Sequence, residues 1–190
     1  MFILKKKYFF IIESIKDIEL KNIRNFHKFS IIYRNNAPKN IDKLRRFRLS
    51  CKRQKIPFFI ANNIALMNTI KADGIFISAH NKKLNLINLK RYNFKIIGAA
   101  HNIKEINLKK LQGCSNILLS RLFKTSYKNK KGFLGVVRFN LIAKSIKTSL
   151  TPLGGINLKN LNKLKIVKCE TIALSSLIKQ NPIETLKILK

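Results

Sequence analysis

A chain of 190 residues with 46% hydrophobic side chains is long enough to bury one core and too apolar for a disordered segment. No apolar run reaches the roughly 20 residues that cross a bilayer, so no membrane partner is expected. The stretch 1–12 also lacks the charge order and cleavage site of a secretory signal.

The formal net charge of +32 favours anionic ligands. Its 31 lysines are scattered among 29 isoleucines and 21 asparagines, three residue types that share A/T-rich codons. Nucleotide bias explains that pattern more simply than a nucleic-acid partner, since no basic patch interleaved with aromatics and no zinc-finger or RNA-recognition signature is present. Cys51, Cys114 and Cys169 are far apart, odd in number and without C-x-x-C spacing. They suggest neither a disulfide framework nor a zinc site, and the expected compartment is a reducing cytoplasm.

Along the chain, short apolar runs alternate with polar, helix-compatible stretches. Strands are predicted at 9–12, 29–33, 58–61, 74–77, 94–98, 116–120, 150–153 and 171–174. Helices are predicted at 17–24, 41–54, 64–70, 84–90, 103–111, 136–145, 158–166 and 178–189. Several strands are apolar at nearly every position, as strands are when both faces are covered. Eight strand–helix units predict a parallel sheet closed into a small α/β barrel, a (β/α)8 TIM barrel occupying 1–190 as one domain. An open doubly wound sheet is the alternative, but no G-x-G-x-x-G follows the first strand and no Walker loop is present.

The sharpest local signal lies at the last two strands. Leu153 runs into Gly154-Gly155-Ile156-Asn157, and the eighth strand into Ser175-Ser176. Paired glycines let backbone N–H groups approach an anion, and loops after strands seven and eight of such barrels often cradle a phosphate. Asn157 is placed to cap the following helix.

The order of motifs resembles the thiamine-phosphate synthase and thiazole tautomerase (TenI) family. The resemblance runs from about Phe29 to Leu177. It rests on Arg34 at the end of the second strand, Phe59-Ile60-Ala61-Asn62-Asn63, Ala72-Asp73-Gly74-Ile75-Phe76-Ile77 and Ile96-Ile97-Gly98-Ala99-Ala100-His101-Asn102. It continues through Leu118-Leu119-Ser120-Arg121-Leu122-Phe123-Lys124-Thr125 and closes on Gly154-Gly155-Ile156 and Ser175-Ser176. What it implies is a barrel that joins a hydroxymethylpyrimidine pyrophosphate to thiazole phosphate with Mg2+, releasing pyrophosphate.

By that resemblance Arg34 and Lys128 would hold pyrophosphate, Thr125 would contact the pyrimidine, and Asn62 would be a further substrate-binding residue. Gly154, Gly155, Ser175 and Ser176 would hold the thiazole phosphate. The family's magnesium aspartates fall at Asn63 and Asn81, its strand-two lysine at Asn36 and its glutamine at Ile32. Those departures bring in two alternatives: a thiazole tautomerase, and a barrel that binds thiazole phosphate without chemistry. His101, just past the fifth strand, is the candidate for proton transfer near neutral pH. His80 is a weaker second candidate, and His27 is read as structural. Assembly into a homo-oligomer is compatible with the sequence.

Overall fold

The computed structural model describes residues 6–23, 26–35, 37–125 and 132–189. Its eight parallel strands are β1 (Lys7–Ile12), β2 (Phe29–Tyr33), β3 (Phe58–Ala61), β4 (Gly74–Ile77), β5 (Lys95–Ala100), β6 (Asn116–Ser120), β7 (Ser149–Leu153) and β8 (Thr171–Leu174). They close in sequence order, with β1 paired both to β2 (Tyr8 opposite Phe29) and to β8 (Phe9 opposite Ala173). This is the TIM barrel that the alternation of strands and helices predicts.

Alternation along each strand builds two apolar layers. Phe9, Ile11, Ile32, Phe59, Ala61, Phe76, Ile97, Leu118 and Ala173 fill the barrel interior, with Ala99 and Leu153 against them. Their neighbours Tyr8, Phe10, Ile12, Ile31, Phe58, Ile60, Ile75, Ile96 and Ile117 point the other way, under the helices. The last inward residue of β3, of β5 and of β8 is alanine: Ala61, Ala99 and Ala173.

The outer layer departs from a ring of regular helices. The α-helices are α1 (Ile41–Arg53), α2 (Ile64–Thr69), α3 (Ile103–Leu111), α4 (Gly135–Ser145), α5 (Ser176–Gln180) and α6 (Pro182–Ile188). The predicted helices at 84–90 and 158–166 are instead 3-10 helices, Leu84–Tyr92 and Leu158–Ile166, and the described part of 17–24, up to Ile23, holds only short 3-10 turns. Leu158, Leu161 and Leu164 recur every third residue, which matches the three residues per turn of a 3-10 helix. The predicted helix 178–189 is broken at Asn181-Pro182, where proline cannot continue the hydrogen-bond ladder and starts a new helix at its first position.

At the end of the barrel where the strands begin, Asp73 ties three elements together. It accepts from Arg48 Nη2 at 2.8 Å and from the Phe58 N–H at 2.7 Å, while Arg48 Nε donates to Lys71 O at 3.1 Å. Nearby, Cys51 is wholly buried, and burial pushes its thiol up to about 12. The unfolded chain's thiol ionises from about pH 9, whereas the folded one stays protonated to about 12. The contribution is therefore complete below pH 9 and lost as pH rises through that window, on the order of 4 kcal/mol in total. Burial also raises the Tyr8 phenol, which works in the same direction. Urea melts across this range should show stability falling steeply in the native chain. In Cys51→Ala the neutral-pH stability should be lower and the alkaline slope shallower; an unchanged slope would remove Cys51 from the account.

Candidate functional site

Continuing the alternation one step past Ile11, Ile32, Ala99, Leu118 and Ala173 brings Glu13, Arg34, His101, Ser120 and Ser175 to the C-terminal mouth of the barrel. Two side-chain contacts confirm that this parity holds around the rim. Arg34 Nη2 donates to Glu13 Oε1 at 2.6 Å, and Ser120 Oγ lies 2.8 Å from His101 Nδ1.

Glu13 is the centre of a rim ion cluster. Its other carboxylate oxygen meets Lys179 Nζ of α5 at 2.6 Å, so it bridges the ends of β2 and β8. Lys179 and Arg34 together hold its carboxyl below the usual glutamate range. All three side chains keep contact with solvent, so the bridge orients Arg34 more than it stabilises the fold. Neither Glu13 nor Lys179 was signalled by a sequence motif. The parity of β1 points to Glu13, while Lys179 becomes visible only through its partner.

On the next strands the rim is built of amides. Asn62 follows β3 with φ of 54° and accepts from the Ser78 N–H at 3.0 Å. Asn81 Nδ2 reaches the same oxygen at 3.5 Å, joining the β3 and β4 loops. Asn63 caps α2, its oxygen accepting from the Leu66 N–H at 2.9 Å, and Asn81 Oδ1 accepts from the Lys83 N–H at 3.0 Å. The Asn62–Asn81 pair is thus brought together, but as a loop clasp.

His101 is held from two sides. Its backbone N–H donates to Glu105 Oε2 at 2.7 Å, and its Nδ1 sits between Ser120 Oγ and the Ser120 carbonyl oxygen, at 2.8 and 3.3 Å. Ser120 thereby engages one ring nitrogen and leaves Nε2 for another partner. The His80 ring lies 6.3 Å away, centroid to centroid. Ser120, part of the motif that ends β6, takes its role from this hydrogen bond. His27 lies in a short turn just before β2, away from these residues in sequence and element.

The glycine turn takes the shape that paired glycines allow. Gly154 and Gly155 have φ of 95° and 71°, both left-handed. A Cβ on Gly155 would strike the Phe123 carbonyl oxygen and come within 2.6 Å of Lys124 O. Phe123 N–H donates to Gly154 O at 3.0 Å, so the loop after β6 lies directly on the turn. Asn157 caps the following 3-10 helix as predicted, in a reciprocal box with Asn160, whose Nδ2 also donates to Gly155 O at 2.7 Å.

Leu153 pairs with Ala173, so Gly155 and Ser175 each stand two residues beyond a paired position of adjacent strands. Ser175 opens α5 without a side-chain cap bond, leaving its hydroxyl out of the helix's own bonding. Thr125, at the end of the described β6 loop, has a hydroxyl shut from solvent with no hydrogen-bond partner among the described residues. A buried, unpaired hydroxyl is costly unless a ligand completes it. Lys128 and Asn36 lie outside the described residues.

The donor set does not fit Mg2+. That ion is hard and poorly dehydrated, and protein sites hold it through one or two carboxylates. The oxygens at Asn62, Asn63 and Asn81 are uncharged and already accept backbone N–H groups. Glu13 has both oxygens on cations. Among the described residues no three His, Cys, Asp or Glu side chains gather as a metal cluster. Among them, too, no helix is long and apolar enough to cross a membrane.

Residues 25–178 match the family model described as thiamine monophosphate synthase. A thiamine-phosphate synthase of Prochlorococcus marinus is 30% identical over 131 residues, 67% of this chain and 37% of that protein. Another, from Pelagibacter ubique, is 28% identical over 163 residues, 80% of this chain and 77% of the relative. The chain spans about a third of the two first Prochlorococcus relatives, 37% and 33% of their lengths. Among solved structures, the thiamine phosphate pyrophosphorylase from Pyrococcus furiosus superposes with a TM-score of 0.73 at 16% identity, covering 97% of this chain and 93% of that one. The YdjI aldolase from Escherichia coli K12 gives 0.64 at 8% identity over 97% and 91%, a likeness of fold alone.

Proposed function

Because the chain belongs to the thiamine monophosphate synthase family, we propose that it condenses a hydroxymethylpyrimidine pyrophosphate with thiazole phosphate. The observation that carries this reading is the Gly154-Gly155 turn, left-handed at both residues and closed over by the β6 loop, whose Thr125 hydroxyl is buried without a hydrogen-bond partner among the described residues. In the reaction the C–O bond between the pyrimidine methylene and pyrophosphate breaks, the bonding pair leaving with pyrophosphate. The thiazole nitrogen then forms the new C–N bond to the methylene carbon.

Positioning and charge stabilisation are the protein's share of such a step. Backbone N–H groups of the glycine turn and the Ser175 and Ser176 hydroxyls hold the thiazole phosphate. Arg34 meets the leaving pyrophosphate, for which a planar guanidinium is the matched donor. Thr125 and Asn62 face the pyrimidine. Incubating the purified chain with both substrates tests the reading. Thiamine phosphate above a heat-killed control is the expected result, and its absence with and without Mg2+ rejects condensation.

A second reading, tautomerisation of the thiazole at the same phosphate site, is favoured by the His101–Ser120 contact. With Nδ1 engaged by Ser120, Nε2 is the atom that gives or takes the proton. His101→Ala should then lower metal-independent turnover by about a hundredfold, in the range of a lost general acid–base group. Ser120→Ala, which removes the hydroxyl beside Nδ1, should lower it less. Thiazole turnover that survives His101→Ala would sink the histidine's role.

A further inference from the structure

We propose that the mouth receives the pyrophosphate group on a cation pair, Arg34 and Lys179, that Glu13 bridges in the ligand's place, so that binding needs no divalent metal; this rests on the synthase reading above. A guanidinium from the end of β2 and an ammonium from α5 converge on the two oxygens of one carboxylate, each at 2.6 Å. Convergence of two cations on a pair of oxygens is the geometry that a phosphoryl group fits, with more oxygens and more charge than a carboxylate. Among the described residues the Glu13 carboxylate makes these two bonds; its backbone is held separately, its N–H donating to Asp17 Oδ2 and its carbonyl accepting from Asn35 Nδ2, and half of its side chain faces solvent. Swinging away therefore breaks no buried contact and leaves both cations aimed at the mouth.

Arg34 stands at the second strand's inner parity position, and Lys179 lies one helical turn past Ser175, so the pair borders the Ser175-Ser176 corner. The same arrangement works against a metal. To recruit Glu13, an Mg2+ ion would have to displace two charged partners, and the remaining oxygens at Asn62, Asn63 and Asn81 bring no charge. Electroneutrality at the pyrophosphate end thus comes from side chains. Lys179 carries a role in ligand binding that its place in a short surface helix does not announce.

The test is calorimetric titration of the full chain with inorganic pyrophosphate, once in chelator and once in excess Mg2+, allowing for the magnesium–pyrophosphate complex in solution. Binding in chelator is expected, with Mg2+ tightening it by no more than about twofold. Arg34→Gln and Lys179→Gln should each weaken it about tenfold or more, and Glu13→Gln, which removes the competing carboxylate, should tighten it about threefold. Thermal melts of each variant check that it is folded. Binding that requires Mg2+ overturns the inference, as does a Glu13→Gln variant weakened like Arg34→Gln. Thiazole phosphate, titrated in parallel, separates the two levels. If it binds while pyrophosphate does not, the cation pair fails; if neither binds, the synthase reading fails with it.

Discussion

A Gly155→Ala chain is expected to lose phosphate binding and about 3 kcal/mol of stability. Two independent penalties meet at this residue. Its φ of 71° is left-handed, which costs an L side chain roughly 1–2 kcal/mol. The added methyl would also strike the Phe123 carbonyl, with Lys124 O at 2.6 Å, and these are backbone atoms that no rotamer change can move aside. Relief requires the β6 loop to lift off the turn. Since that loop carries Thr125 and the turn is the proposed phosphate cradle, both halves of the candidate site are expected to move together.

Gly154→Ala is the control. Its φ of 95° is also left-handed, but a Cβ there meets the Arg121 side chain, at 3.2 Å to Cγ and 3.3 Å to Cβ. These contacts, with the Arg121 Cα at 3.4 Å, are tight but not overlapping, so the left-handed φ supplies most of an expected loss of about 1–2 kcal/mol. Urea melts with a phosphate titration distinguish the two; equal losses would mean that the carbonyl contact is unimportant.

The second large effect is expected at Lys109, whose side chain is wholly buried under β5. Its ammonium donates to Asn81 O at 2.7 Å and to Gln112 Oε1 at 2.9 Å, and Gln112 Nε2 donates in turn to Asn81 O and Lys83 O, each at 2.9 Å. This network fastens the β4 loop that carries His80 and Asn81. Lys109→Ala empties the space and strips the carbonyl of its strongest donor, for an expected loss of about 3 kcal/mol. Lys109→Met refills the space without a charge to desolvate, and should lose about 1 kcal/mol or less.

Burial holds the Lys109 ammonium below its ordinary range. Between the lowered folded value and the unfolded 10.5, the unfolded chain binds the proton that the folded chain has released. The buried charge is therefore a full penalty below the folded value, and the penalty fades as pH rises toward 10.5. Lys109→Met should compare most favourably with the native chain at neutral pH and lose that advantage in alkali. A difference between the two that does not change with pH would contradict it.

The strands were legible because they are buried on both faces: runs such as 58–61 and 74–77 need only be apolar and short. Helix type was harder to read. Leucines three apart in 158–166 fit both helical periods, and the packing of Leu161 and Leu164 against the barrel selects the tighter one. The Gly154-Gly155 turn and the Asn157 cap could be read because both are backbone demands encoded locally. The same logic assigns Asn63, which starts α2 as Asn102 starts α3, to capping. Glu13 and Lys179 could not be found that way: 166 positions separate them along the chain, and only closure of β8 on β1 makes them neighbours.

That three strands end inward on alanine gives the mouth its relief. Ala61 follows Phe59 on β3 and Ala99 follows Ile97 on β5, so along each strand a large side chain is succeeded by a single methyl on the way to the rim. Ala61 and Ala173 are wholly buried, so the last layer of the barrel is a thin, sealed floor of methyl groups, and Glu13, Arg34, His101 and Ser175 stand on it as the first polar tier.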